Sequence, residues 1–140
     1  MSLGSISEYK FQPYVFDHKY LAVIAAFRLG SVNLGQTLPV FNLELKTCPL
    51  CSTLSPNNEE HLLITCPALK RTRQDTGISR FMMCCSLKNL SPQQMFRMYV
   101  GGLDLLGHPL GLKDFLQRGA AMSAMHSAWI AKIKCLFKVE

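Results

Sequence analysis

The sequence predicts a mainly α-helical, small domain with one irregular insert and at most one short strand or hairpin. Apolar residues recur at helical spacing over the C-terminal part. Helix starts and stops punctuate the chain at Asp17, Gly30, Pro67, Gly77, Ser91 and Gly101-Gly102. One segment, CPLCSTLSPNNEEHLLITCP from Cys48 to Pro67, interrupts that pattern with three cysteines and a histidine. A chain of 140 residues is long enough for one domain with a core and short for two.

The elements follow in order. Residues 1–16 read as a loose leader. Asp17 is placed to cap a helix from His18 to Leu29, and Gly30 to close it in the left-handed conformation. That helix is apolar almost all the way round, through Leu21, Val23, Ile24 and Phe27, so it is expected to be buried. Phe41, Leu43 and Leu45 alternate with Asn42, Glu44 and Lys46, which suits one short strand. The cysteine segment follows. Pro67 is placed in the first turn of a helix over Ala68 to Asp75, which Gly77 ends. These elements make up a unit over residues 17–80, and residues 81–140 hold the C-terminal helices.

The apolar patch Phe81 to Leu87 is ambiguous between helix and strand. Ser91 can cap the next helix, with Pro92 in its first position and Gln94 reaching back. The last element starts at Leu112. Phe115, Leu116, Gly119, Met122, His126, Trp129, Ile130, Ile133 and Phe137 fall on its apolar stripe.

Composition excludes some classes. Hydrophobic residues make up 49% and charged residues 17%, which is not a disordered composition. No apolar run approaches the ~18 residues of a membrane span. The opening residues lack the basic-then-apolar order of a signal peptide, so an intracellular protein, nuclear or cytoplasmic, is expected. That setting disfavours structural disulfides and turns attention to metal ligands and reactive thiols. The net charge of +6 favours an anionic partner, of which nucleic acid is the commonest.

The spacing Cys48-x2-Cys51-x9-His61-x4-Cys66 reads as a metal site. A disulfide framework has no need of the histidine. A nucleophilic thiol needs one cysteine and one base, not three thiols. Zinc uses all four residues in one tetrahedron, and the two-residue gap lets a tight turn at Pro49 present two sulfurs. Four protein ligands leave no open position, so one structural Zn2+ is expected rather than a catalytic one. Three thiolates with Zn2+ would lower the chain's charge from +6 to about +5. Glu59 and Glu60 are expected either to support the ligands or to act as helix N-terminal charges.

The residues AFRLG (Ala26 to Gly30), CPLC and EEHLLITCPALKRTR (Glu59 to Arg73) resemble the zinc-knuckle (CCHC) region near the C-terminus of reverse transcriptases from non-LTR retrotransposons. Arg28, Gly30, Cys48, Pro49, Cys51, His61, Cys66, Pro67 and Arg73 match that pattern, over about residues 20 to 80. The acidic position of the family lies a little further upstream than Glu59 and Glu60. The resemblance implies a metal-bearing tail of a polymerase, or a free-standing descendant of one. The polymerase's own paired carboxylates are missing: no two of Asp17, Asp75, Asp104 and Asp114 are adjacent, and no Tyr-x-Asp-Asp occurs.

Other sites are weaker. Glu44-Leu45-Lys46, with Asp17 as a second carboxylate, has the form of a restriction-like nuclease, but alternating charge on a strand's wet face accounts for it better. Cys84, Cys85 and Cys135 read as small structural hydrophobes. His126 reads as a satisfied core or interface histidine, and neither His18 nor His108 makes a triad. No catalytic residue is expected. Lys70, Arg71, Arg73 and Arg80 form the densest basic cluster, with Lys70 and Arg73 on one helix face. Starting four residues after the last ligand, the cluster suits backbone contacts to RNA or DNA. A thinner cluster is Lys132, Lys134 and Lys138. Two functions remain open at this point. One is a non-catalytic nucleic-acid-binding module. The other is a structural module whose apolar helices dock a partner, the missing polymerase domain or a second copy.

Overall fold

The computed structural model describes residues 8–34, 47–51 and 53–136, and over 8–18 the backbone only. Five α-helices are described: α1 (Glu8–Leu29), α2 (Lys70–Thr76), α3 (Ile78–Leu87), α4 (Pro92–Val100) and α5 (Leu112–Leu136). A π-helical turn (His61–Thr65) and a 3-10 turn (Pro67–Leu69) lead into α2. No strand is found among the described residues; two isolated antiparallel bridges, Thr47 with Pro56 and Leu103 with Pro109, are the only extended pairings there. The strand expected around Phe41 to Leu45 lies outside the described residues.

Local sequence accounts for most helix boundaries. The Ser91 hydroxyl accepts the Gln94 N–H at 3.2 Å and the Gln94 side chain accepts the Ser91 N–H at 2.8 Å, a complete capping box. Gly30 and Gly77 take positive φ values of 67° and 84°, so each ends its helix in the left-handed region as expected. The ambiguous patch after Gly77 is helical. As part of α3 it belongs to a helix that buries Ile78 and Cys85 on one side and exposes Met83 and Leu87 on the other.

The first helix departs from expectation. It starts at Glu8, so Asp17 lies inside it rather than capping it, and residues 8–16, expected as loose leader, are helical. A capping preference of about 1 kcal/mol does not by itself stop a helix, and here α1 runs through Pro13 as well. Its apolar surroundings are also only half used. Ile24 and Phe27 are buried, whereas Leu21, Ala22, Ala25 and Leu29 are exposed. One side meets α5 and α4; nothing among the described residues covers the other.

Helices α1 and α5 form the longest interface. The two backbones come close at Gly119, where a Cβ would lie 2.7 Å from the Cβ of Tyr20. Above and below that point Ile24, Phe27, Met122, Met125, Trp129 and Ile133 are almost fully buried. Each such side chain contributes about 1.5–3 kcal/mol through its removal from water. Of the predicted stripe on α5, Phe115, Leu116, His126 and Ile130 are half-buried, and Met125 and Ala121 take deeper positions. Phe137 lies outside the described residues.

The same core reaches the cysteine segment. Leu62, Leu63 and Ile64 of the π turn and Leu69 of the 3-10 turn are buried against the helices. The π turn therefore has apolar side chains anchored in the core while His61 faces the cysteines.

Candidate metal centre

The centre is assembled from two pieces of chain. The first is a tight loop. The Cys48 N–H donates to the Ser55 carbonyl at 2.9 Å, next to the Thr47–Pro56 bridge, and this closes a hairpin that carries Cys48 and Cys51. The second is the π turn, entered at Asn58, whose side-chain oxygen accepts the His61 N–H at 2.8 Å. Sequence reading missed this cap, although Asn followed by two acidic residues and an apolar run is a helix-start signal.

The π turn solves a spacing problem. In an α-helix, residues five apart point about 140° away from each other. A wider turn with i to i+5 hydrogen bonds brings them back to one side. The Cys66 N–H donates to the His61 carbonyl at 2.7 Å, which is such a bond. Pro67 then removes a donor where the turn must break, and the 3-10 turn redirects the chain into α2.

All four predicted ligands converge. The sulfurs of Cys48, Cys51 and Cys66 and a ring nitrogen of His61 lie within 4.8 Å of one another. Cys48 Sγ to Cys66 Sγ is 3.8 Å and Cys51 Sγ to His61 Nε2 is 3.3 Å. A tetrahedral ion with bonds of about 2.3 Å to sulfur and 2.0–2.1 Å to nitrogen sets such atoms about 3.8 Å and 3.5 Å apart. The residues thus fit one metal ion, and three thiolates with an imidazole suit zinc.

The surroundings prepare the donors. His61 Nδ1 lies 2.7 Å from Thr65 Oγ1, a contact that suits a ring N–H donated to the hydroxyl and would leave Nε2 as the lone-pair nitrogen facing the sulfurs. Burial lowers the His61 pKa, and the Arg73 charge lowers it further, which favours the neutral, metal-binding imidazole. Burial pushes the Cys66 thiol up to about 12 and raises Cys48 as well. Burial raises Cys51 too, but hydrogen bonds from Thr53 and from the Cys48 and Cys66 thiols together outweigh it, and the net shift is downward. Thr53 Oγ1 sits 3.0 Å from the Cys51 sulfur. Cys51 is the most exposed of the three cysteines and the easiest to ionise first.

The basic residues divide. Lys70 and Arg71 are exposed on α2, and Arg71 pairs with Asp75 at 3.3 Å. Arg80 is exposed on α3 at the edge of a cleft of about 380 Å³ that Phe81, Tyr99 and Arg118 also line. Arg73 is different. It is only 5% exposed, and its guanidinium donates to the carbonyls of Leu62 and Cys66. The expectation that Arg73 shares a solvent face with Lys70 for phosphate contact is therefore corrected: the helix turns this side chain under the π turn. Lys132 of α5 comes beside the knuckle, in a groove with Pro49, Leu50 and Ala68. Lys138 lies outside the described residues, as do Glu44 and Lys46.

Other charged groups serve the frame. Glu59 lies at the start of the helical turn, as one of the two expected roles places it, but it is buried and accepts the Val32 N–H at 3.1 Å, tying the exit of α1 to the π turn. His126 Nε2 donates to the Asn33 carbonyl at 2.6 Å and stacks near Trp129. Arg28 donates to the Val100 carbonyl and Arg118 to those of Met98 and Tyr99, so two arginines satisfy the last carbonyls of α4. Cys85 is buried, Cys84 half-buried and Cys135 exposed, and none of them joins the metal cluster. No helix among the described residues is long and apolar enough to cross a membrane.

No protein-family profile, no curated protein and no solved structure matches this chain.

Proposed function

We propose that the chain is a zinc-stapled nucleic-acid-binding accessory module, of the kind found in the tail of a retrotransposon reverse transcriptase, without catalysis of its own. The observation that carries this reading is the join between the metal centre and α2. The last candidate ligand, Cys66, runs through one short 3-10 turn into a helix that exposes Lys70 and Arg71. Zinc in the Cys48, Cys51, His61 and Cys66 site would hold those cations, with Arg80 and Lys132, against RNA or DNA phosphates. The net charge of +6 and the matched knuckle residues favour the same partner.

The test is binding of the zinc-loaded chain to labelled single-stranded RNA, single-stranded DNA and duplex DNA across a salt series. Affinity should fall steeply with salt, and replacing Lys70, Arg71 and Arg80 together by Gln should flatten the slope by about one for each phosphate no longer neutralised. Unchanged binding by that triple variant would overturn the basic-helix reading. A second reading, a docking module, draws on Met83 and Leu87, which are 66% and 81% exposed one turn apart on α3. It gains if the folded, zinc-loaded chain binds no nucleic acid.

A further inference from the structure

We infer that Arg73 is the built-in counter-charge of the metal centre: a positioning residue whose buried guanidinium offsets the negative charge of a three-thiolate, one-imidazole site. The inference concerns metal holding and stands apart from the nucleic-acid reading, since it is measured with no nucleic acid present.

An arginine only 5% exposed needs an anion or an excellent set of acceptors for its guanidinium. Among the described residues the only ion pair is Arg71 with Asp75, so no carboxylate there accompanies Arg73. What does accompany it is the backbone of the metal site. Its two acceptors are the carbonyl of Leu62, one residue after the ligand His61, and the carbonyl of Cys66, itself a ligand. Two neutral carbonyls satisfy hydrogen-bond directions but leave a full positive charge in the core. The adjacent cluster supplies the missing charge when loaded. Three thiolates, a neutral imidazole and a divalent cation leave one negative charge, which one guanidinium cancels.

The same fork acts mechanically. It bridges the carbonyl of the π turn to that of the residue closing it, and so fixes His61 and Cys66 relative to each other. Planar two-point donation of this kind is available to Arg and not to Lys. Charge and fork make separable demands.

The experiment measures the apparent Zn2+ dissociation constant of the full chain by competition with a chromophoric chelator. Arg73→Gln keeps a donor and loses the charge; it should weaken zinc binding by about 10- to 100-fold. Arg73→Lys keeps the charge and loses the fork, and should lose less. The decisive background is Cys51→His, which makes a two-thiolate, two-imidazole site with no net charge. There the additional loss from Arg73→Gln should shrink to within about threefold. Equal losses in the two backgrounds, or wild-type zinc affinity in Arg73→Gln, would overturn the counter-charge and leave only a hydrogen-bonded pin. If Arg73→Gln does not fold at saturating zinc, folding of the Arg73→Gln, Cys51→His double variant supports the inference. Failure of that double variant where Cys51→His alone folds overturns it.

Discussion

The cysteine knuckle and the α1–α5 pair are held by different forces. Between α1 and α5 the stabilisation is area: Ile24, Phe27, Met122, Met125, Trp129 and Ile133 are almost fully buried, and the helices touch closely at Gly119. In the hairpin there is little area to bury. Leu54, within it, is 85% exposed, and order comes from a backbone bridge, a few short polar bonds and four convergent ligand groups. A large apolar interface degrades gradually as atoms are removed, whereas a tetrahedral site fails when one of four ligands is removed. The π turn belongs to both regimes, with Leu62, Leu63 and Ile64 in the core and His61 in the cluster. It is the seam along which the two can be separated.

The sharpest break is at the metal. On the zinc reading, Cys66→Ser, or stripping the metal with a chelator, should remove amide protection from about Thr47 to Gly77 while α1 and α5 keep theirs. Zinc binding of this kind carries on the order of 10 kcal/mol, so the effect should exceed that of any single core change. Unchanged exchange in the hairpin would mean that polar bonds alone hold it. Next in size is Trp129→Ala, expected to lower global stability by about 3–5 kcal/mol in denaturant melts with the zinc affinity of the remaining folded protein little changed. A parallel loss of zinc affinity would show that the core and the knuckle are one cooperative unit. Gly119→Ala should cost about 1–3 kcal/mol, because the new methyl meets the Tyr20 Cβ and carbonyl and the two helices must separate. Ser91→Ala removes one arm of the capping box of α4 and should cost about 1 kcal/mol by thermal melt. Smallest is Asp75→Asn, which releases Arg71 from an exposed i, i+4 pair for about 0.3–0.5 kcal/mol. On the nucleic-acid reading that change should tighten binding at low salt; a weaker complex would count against Arg71 as a phosphate contact.

Features set by neighbours in the chain were legible in the sequence. The ligand spacing, the Ser91–Gln94 box, the glycine stops at Gly30 and Gly77 and the long α5 are all local patterns, and the structure contains each of them. The start of α1 was not legible, because Pro13 and a favourable cap at Asp17 both argue locally for a later start. Nor was the π turn, since HLLIT reads equally well as α-helix until the five-residue step from His61 to Cys66 must be met by two ligands of one ion.

The basic cluster shows where local reading ends. Lys70, Arg71 and Arg73 are near neighbours in sequence and chemically alike, and helical spacing alone puts Lys70 and Arg73 on one face. Which face turns inward is decided by α5, α3 and the π turn packing around α2, and that packing leaves Lys70 and Arg71 in water and Arg73 in the core. Arg28, Glu59, Arg118 and His126 follow the same rule, each reaching a backbone group far away in sequence. By itself the sequence determined that this protein is helical and that four residues can share one metal, because both depend on short spacings. Only the tertiary structure decided which charges stay outside and which hold the frame together, because burial is a property of the whole packed chain.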